Sequence, residues 1–469
     1  MRVKTLSWIG LAAIPLATVW IETPVAPAIA AQELPAFTMA LTGDSIITRR
    51  LSVYEEPEFL QMIELIRGAD VAFTNLEMLF HDYEPFPTHQ SGGTYMRGDP
   101  ALAKELVWAG FDIVSRANNH TGDYGVEGMR LTSKYTEDAG LVHAGVGESL
   151  SEAREPKFIE TARGRVALIS VASTFADHMR AGRSRGDIRG RPGLSPLRFT
   201  TTNVTTDEGV TALREALVTA GFARGRGGGG RGGRGGASSV SVFGTRVAAG
   251  DEPGRHTEPN AEDMEEIAAA VRSAARLADY TIVTSHTHES DGNRLVPAEF
   301  LVTFARAMVD AGADVFVGHG PHVLRGIEIY KGKPIMYSLG DFLFQNETLL
   351  RLPSENYDTY DLDRNAQVAD FNSRRYRDDT TGFPADPMIW EAVVAVPTFR
   401  DGGLVDLALH PISLGFGLPP SQRGRPMLAD PELGGKILDD LIRLSEPFGT
   451  TIEKRDGVGY VVMPPGGSS

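Results

Sequence analysis

Hydrophobic positions along the chain recur in one arrangement. A helix-like stretch ends at a small residue, a short and nearly continuous apolar run follows, and that run ends in polar groups. Phe37 to Leu41 leads into Thr42-Gly43-Asp44, and Ala69 to Phe73 leads into Thr74-Asn75-Leu76-Glu77. Gly110 to Val114 leads through Ser115-Arg116-Ala117 to Asn118-Asn119-His120. Asp279 to Val283 leads into Thr284-Ser285-His286, and Gly312 to Val317 into Gly318-His319. Short apolar strands between amphipathic helices predict an α/β fold with buried strands. In such sheets ligands gather beyond the carboxyl ends of the strands. Five strand ends in succession carry acidic, amide or imidazole groups, which points to one assembled site.

Two segments break the pattern. Arg180 to Arg198 is rich in arginine, glycine and proline, and Ala223 to Ala237 is almost entirely glycine and arginine, as a flexible connector would be. Together they mark an insert over about 180–237. Thr206 to Ala220 and Asn260 to Ala278 read as helices, the second with Asp263, Glu265 and Glu266 near its start, where negative charge suits the helix dipole. The span 346–385 is charged, tyrosine-rich and aperiodic, and is expected to be a long surface loop. From 386 to 469 the chain changes character. Met388 to Phe399 and Leu404 to Leu414 are strands joined by Arg400-Asp401-Gly402-Gly403. Pro431 to Leu444 is a helix, and Thr451 to Met463 a hairpin through Asp456-Gly457. These elements are expected to extend the domain of residues 32–345 with a second sheet.

The length of 469 residues and 42% hydrophobic content suffice for a large core. A net charge of −15 argues against a nucleic-acid partner. The absence of cysteine excludes disulfides, thiolate ligands and a lipidated N-terminal cysteine. Arg2 and Lys4 precede an uncharged run from Leu6 to Ile21, and Ala28-Ile29-Ala30 offers small residues at cleavage-site spacing. Residues 1–31 therefore read as a signal peptide. The rival reading, a membrane anchor, is disfavoured by the short run and by Pro15. The mature protein is expected to be periplasmic or extracellular.

The candidate site gathers Asp44, Glu77, Asn119, His120, His286, His288, His319 and His322. Mixed oxygen and imidazole donors without sulfur suit manganese, iron or zinc rather than calcium or magnesium. The donors outnumber what one tetrahedral zinc needs, so two divalent metal ions sharing a carboxylate would use them better.

The runs Gly43-Asp44, Thr74 to Glu77, Asn118 to Gly125, Gly318 to Leu324, Gly326 to Lys333 and Tyr337 to Phe342 resemble motifs of the CapA family, linked to poly-γ-glutamate capsules. That family lies in the calcineurin-like metallophosphatase superfamily. The resemblance implies a four-layer α/β/β/α sandwich of the metallophosphatase type with inserted loops. It implies that Asp44 and His322 bind a first metal, that Glu77 bridges, and that Asn119, His286 and His319 bind a second. His120 would be the acid that protonates the leaving group. It also implies an anionic polymer or small anionic substrate, and membrane-bound capsule-synthesis machinery as a partner. Two features depart from the superfamily pattern. Ser45 and Ile46 follow Asp44 where a histidine is usual two residues on, and His319 and His322 stand one residue further apart than usual.

Each position also has a plainer use. Asp44 could cap a helix, Asn118-Asn119 could be a turn, and Asp123 either caps the next helix or orients His120. His288 is an extra ligand or a substrate contact, and Asn75 is a second candidate for substrate contact. Arg183, Arg185, Arg189 and Arg191 form a solvated loop or hold an anionic substrate. Asp341 lies in a matching run without an evident role. Three functions compete: an exported metal-dependent hydrolase acting on phosphoesters or γ-glutamyl amides, a non-catalytic accessory protein that binds a polyanion, and an epimerase or other lyase-like use of the same metal centre. N-terminal sequencing of protein from its host is expected to begin close to Gln32; an intact Met1 in the cytoplasmic fraction contradicts export.

Overall fold

The computed structural model describes residues 36–222 and 239–463. The signal-peptide segment and the tract Ala223 to Ala237 lie outside the described residues. Two sheets face each other. The larger has ten strands and runs, in spatial order, Ile452–Arg455, Val458–Val461, Gly403–Ser413, Glu391–Arg400, Phe37–Ile46, Val71–Leu76, Ile113–Ser115 and Val142–Ala144. Asp341–Phe344 and Met427–Leu428 pair at its sides. The smaller runs Leu324–Tyr330, Lys333–Leu339, Val315–His319, Tyr280–His286, Gly164–Ala172 and Lys157–Thr161.

Strand alternation explains the layers. Phe37, Met39, Leu41, Phe73 and Ile113 point inward and meet Val166, Leu168, Ile282 and Val317 of the opposite sheet in a shared core. Ala40, Ala72 and Val114 point the other way, under Phe59, Met62, Ile63 and Ile66 of the helix Pro57–Arg67. On the far side Ile169, Val283 and Phe316 lie under the helices Ala261–Ala274 and Glu299–Asp310. The result is an α/β/β/α arrangement. Strands covered on both faces must be apolar at almost every position, which is why the runs read as continuous.

Backbone register then builds the site. The strands Phe37–Ile46, Val71–Leu76 and Ile113–Ser115 are parallel, and so are Tyr280–His286 and Val315–His319, so their carboxyl ends share an edge. Asp44 stands beside Asn75 and also beside Asp341, Asn75 beside Ser115, and His286 beside His319. The first strand changes partner midway. Phe37 to Leu41 pairs with Glu391–Arg400, and Asp44 to Ile46 pairs with Asp341–Phe344. At the changeover the chains nearly touch: a Cβ on Gly43 would lie 1.8 Å from the carbonyl oxygen of Gly340, which accepts from the Asp44 N–H at 3.2 Å.

Three expectations are corrected here. The C-terminal strands do not form a second sheet. They cover the open edge of the first strand, where unpaired N–H and C=O groups would otherwise face solvent. Their turns have left-handed φ at Asp401 and Gly402, and at Asp456 and Gly457, as tight hairpins require. The insert holds more than a helix and a connector: its strand Phe199–Thr205 forms a four-stranded sheet with Ser239–Val242, Thr245–Ala249 and Gly254–Pro259, which follow it in the chain. The span 346–385 carries the helices Ser354–Asp358 and Val368–Tyr376, anchored by buried Phe371 and Tyr376. Among the described residues no helix is long and apolar enough to cross a membrane.

The Gly43 contact gives a test of packing. Gly43→Ala is expected to destabilise by about 3 kcal/mol, because backbone rather than a flexible side chain blocks the new methyl. Gly435→Ala, with nothing near its added methyl in the helix Pro431–Ser445, is expected to stabilise by about 1 kcal/mol. Urea unfolding midpoints report both, and equal effects at the two positions would contradict the assigned close approach.

Candidate metal centre

Buried carboxylates and imidazoles converge at the shared edge. Ligand atoms of Asp44, His286 and His319 lie within 4.8 Å of one another, as do those of Glu77, His288 and His322, and those of Asp44, Glu77, His322 and Asp341. Glu77 Oε1 is 3.5 Å from His286 Nε2 and 3.8 Å from His322 Nε2. Asp44 Oδ1 is 3.5 Å from His319 Nδ1, and its Oδ2 accepts from the Gly320 N–H at 2.8 Å. Two pairs of ring nitrogens, His286 Nδ1 with His319 Nδ1 and His286 Nε2 with His288 Nε2, stand 3.0 Å apart.

Backbone and neighbouring groups hold this arrangement. His322 has a left-handed backbone, φ 56°, a conformation a residue with a Cβ adopts at some cost, and it follows Gly320 at φ 112°. That tight loop keeps His319 and His322 in one cluster. His322 Nδ1 bonds Asp341 Oδ1 at 2.8 Å. The hydroxyls of Thr284 and Ser115 approach His319 Nε2, leaving Nδ1 toward Asp44. The fully buried Arg325 guanidinium donates to the carbonyls of Thr287, His288 and Arg294, fixing the backbone that carries His286 and His288.

The electrostatics suit a cation. Both Glu77 oxygens, Asp341 Oδ2 and Asn119 Oδ1 are buried without a hydrogen-bond partner. An uncompensated buried charge costs roughly 3–5 kcal/mol. Burial, then the charges of Asp44 and Asp341, push the Glu77 carboxyl well above the usual carboxylate range. Burial pushes the Asp341 carboxyl up to about 6, against the pull of His322. Burial also holds His286 and His288 well below the ordinary histidine value and His319 down to about 3, so their rings are neutral, the form that ligates metals. His322 differs. Burial works against its charge, but Asp341 and Asp44 outweigh that and raise it. Oxygen and imidazole donors without sulfur, with unpartnered oxygens among them, fit a transition-metal or zinc centre.

The other predicted residues fall into place around this cluster. His120 Nδ1 bonds Asp123 Oδ2 at 2.7 Å, and His120 Nε2 faces Glu77 Oε1 at 3.9 Å. Asp123 orients His120 rather than capping the following helix. Its oxygens also accept from the N–H groups of Gly92 and Met96, at 2.9 and 2.8 Å. Asn119 donates to the Gly92 carbonyl, and its side-chain oxygen is buried without a partner. Asn75 is fully buried, donates to Asp44 Oδ1 and accepts from Ser115, both at 2.7 Å. It positions Asp44. His288, open between two uses in the sequence, joins the cluster.

The arginine run does not. Arg183 pairs with Glu262 and Glu266, Arg185 with Asp187, Arg191 donates to the Arg180 carbonyl, and Arg189 is exposed. Sequence reasoning left Asp341 without a role, and the structure puts it in the cluster, beside Asp44 in register. Ile46, where the superfamily pattern has a histidine, is buried in the helix-side core instead.

Comparison with known proteins agrees with the resemblance. The family model described as Bacterial capsule synthesis protein PGA_cap matches residues 38–346, which contain the whole cluster from Asp44 to Asp341. The chain is 39% identical over 442 residues to uncharacterized protein y4sH of Sinorhizobium fredii, covering 91% of this chain and 93% of that one. It is 24% identical over 342 residues to capsule biosynthesis protein CapA of Bacillus anthracis, covering 71% and 66%. It is 26% identical over 302 residues to PGA biosynthesis protein CapA of Bacillus subtilis, covering 61% and 60%. With two thirds of its length matched, the chain belongs to the bacterial capsule synthesis protein family PGA_cap.

Proposed function

We propose that this protein is an exported, metal-dependent hydrolase that cleaves a phosphoester or γ-glutamyl amide in capsule-polymer metabolism. The observation that carries this reading is Glu77, buried with both oxygens unpartnered, in a carboxylate–imidazole cluster that an oriented histidine faces. Asp44, Glu77, Asp341, Asn119 and the histidines 286, 288, 319 and 322 would hold two divalent ions, manganese, iron or zinc. Such ions, when bound, activate water and offset negative charge on the reacting oxygens.

The chain's own groups supply the rest. His120 holds a proton at Nε2 on the side facing Glu77 and passes it to the leaving group. Asp123 accepts from Nδ1 and fixes the ring's orientation. The N–H groups of Gly92 and Met96 keep Asp123 from turning away. Asn75 and the Gly320 N–H keep Asp44 aimed inward. Export rests on the N-terminal pattern, and the anionic substrate on the capsule and PGA names of the relatives.

Three outcomes test the reading. Glu77→Gln is expected to lower the metal-to-protein ratio by at least one equivalent in elemental analysis; unchanged content removes the carboxylate from the centre. Cations compete with protons for Glu77 and Asp341, whose raised values leave them protonated at lower pH. Metal affinity should therefore fall as pH drops through about 6, by about tenfold per pH unit for each proton displaced. Calorimetry in buffers of different ionisation enthalpy reads the released protons, and uptake without proton release contradicts the assignment. Finally, His120→Asn is expected to cut turnover by about a hundredfold while metal content stays the same. The loss should shrink for a nitrophenolate leaving group, which needs no proton. A polyanion-binding accessory protein would show no turnover to lose.

A further inference from the structure

The cluster accounts for the bond to be broken and leaves open how the rest of an anionic substrate is recognised. Of the arginines singled out in the 180–198 run, Arg183, Arg185 and Arg191 are engaged elsewhere and Arg189 is exposed. Arg375, on the helix Val368–Tyr376, is different. It is half-buried, its guanidinium donates to the Thr94 hydroxyl, and it lies over the rings of Tyr376 at 5.1 Å and Phe383 at 5.8 Å. Among the described residues, no carboxylate lies within ion-pair distance of it.

Two of its contacts, Thr94 and Phe383, lead to the site. Thr94 belongs to the loop whose Gly92 and Met96 N–H groups hold Asp123 and whose Gly92 carbonyl binds Asn119. Phe383 packs edge-on against the His322 ring at 5.7 Å. Arg375 thus bridges the His120 side and the His322 side of the cluster. A guanidinium has five N–H donors in a planar fork suited to an oxyanion, and one hydrogen bond to a hydroxyl leaves most of them free.

We propose that Arg375 binds a carboxylate or phosphate group of the substrate at the rim of the cluster and so sets the preference for an anionic substrate. The proposal rests on the hydrolase reading for the identity of the site. It has its own test, which is binding by the manganese-loaded mature chain measured by calorimetry. The probes are a γ-glutamyl oligomer with free α-carboxylates, the same oligomer as its α-amide, and pyrophosphate.

The wild type is expected to favour the carboxylate oligomer, or to bind pyrophosphate, and Arg375→Ala to weaken that anion at least tenfold. Metal content and binding of the α-amide oligomer should not change, which shows that the variant is folded. Arg375→Lys should recover part of the loss. Loss confined to the oligomer identifies a carboxylate as the ligand, and loss confined to pyrophosphate a phosphate. Wild-type affinity for every probe in Arg375→Ala overturns the proposal, as does a wild type that binds neither anion. Arg375-dependent binding without turnover would sink the hydrolase reading and leave Arg375 in place. Turnover indifferent to Arg375 would do the reverse.

Discussion

Buried negative charge is the constraint around which this molecule is arranged. Asp44, Glu77 and Asp341 are all inaccessible to water and share one cluster, and Glu77 has no hydrogen-bond donor at either oxygen. Water cannot relieve charge there, so either a proton neutralises these carboxyls or a cation sits among them. Much nearby structure serves to keep these groups together against their repulsion. Asn75, itself held by Ser115, and the Gly320 N–H hold Asp44, and His322 holds Asp341. Arg325, itself buried and held down to about 10 by that burial, braces the carbonyls that flank the histidines.

The site was readable in the sequence to the extent that it follows from strand ends. Parallel strands bring their carboxyl termini to one edge, so Asp44, Glu77, His286 and His319 could be grouped from the apolar runs that precede them. The role of Asp341 could not be read that way. It depends on a parallel pairing with Asp44 across 297 positions, and nothing local announces that register. Arg375 was missed because the helix that carries it has nine residues and buries only Phe371 and Tyr376, too little to show a period. The strands in and just after the insert escaped for a related reason: they are half-buried or exposed along most of their length, so they lack the alternation that marks a buried edge.

The larger sheet separates two jobs. Its parallel half delivers chemistry at loop ends, where side chains can vary without disturbing the core. Its antiparallel half, from Glu391 onward, seals the open edge, and the helix Pro431–Ser445 places Ile437, Leu438 and Leu441 in the core between the sheets. Such a division lets the centre concentrate charge while apolar burial elsewhere supplies the stability.

The change of partner along the first strand carries a consequence for synthesis. Phe37 to Leu41 completes its pairing only with residues near Phe399, and Asp44 only with Asp341. The amino-terminal third of a nascent chain therefore emerges with Asp44 on a strand that lacks one neighbour, and waits for some 300 further residues. Contacts so distant in sequence form slowly. The cluster cannot be complete until Asp341 has been made, and a chain halted before that point lacks one of its carboxylates.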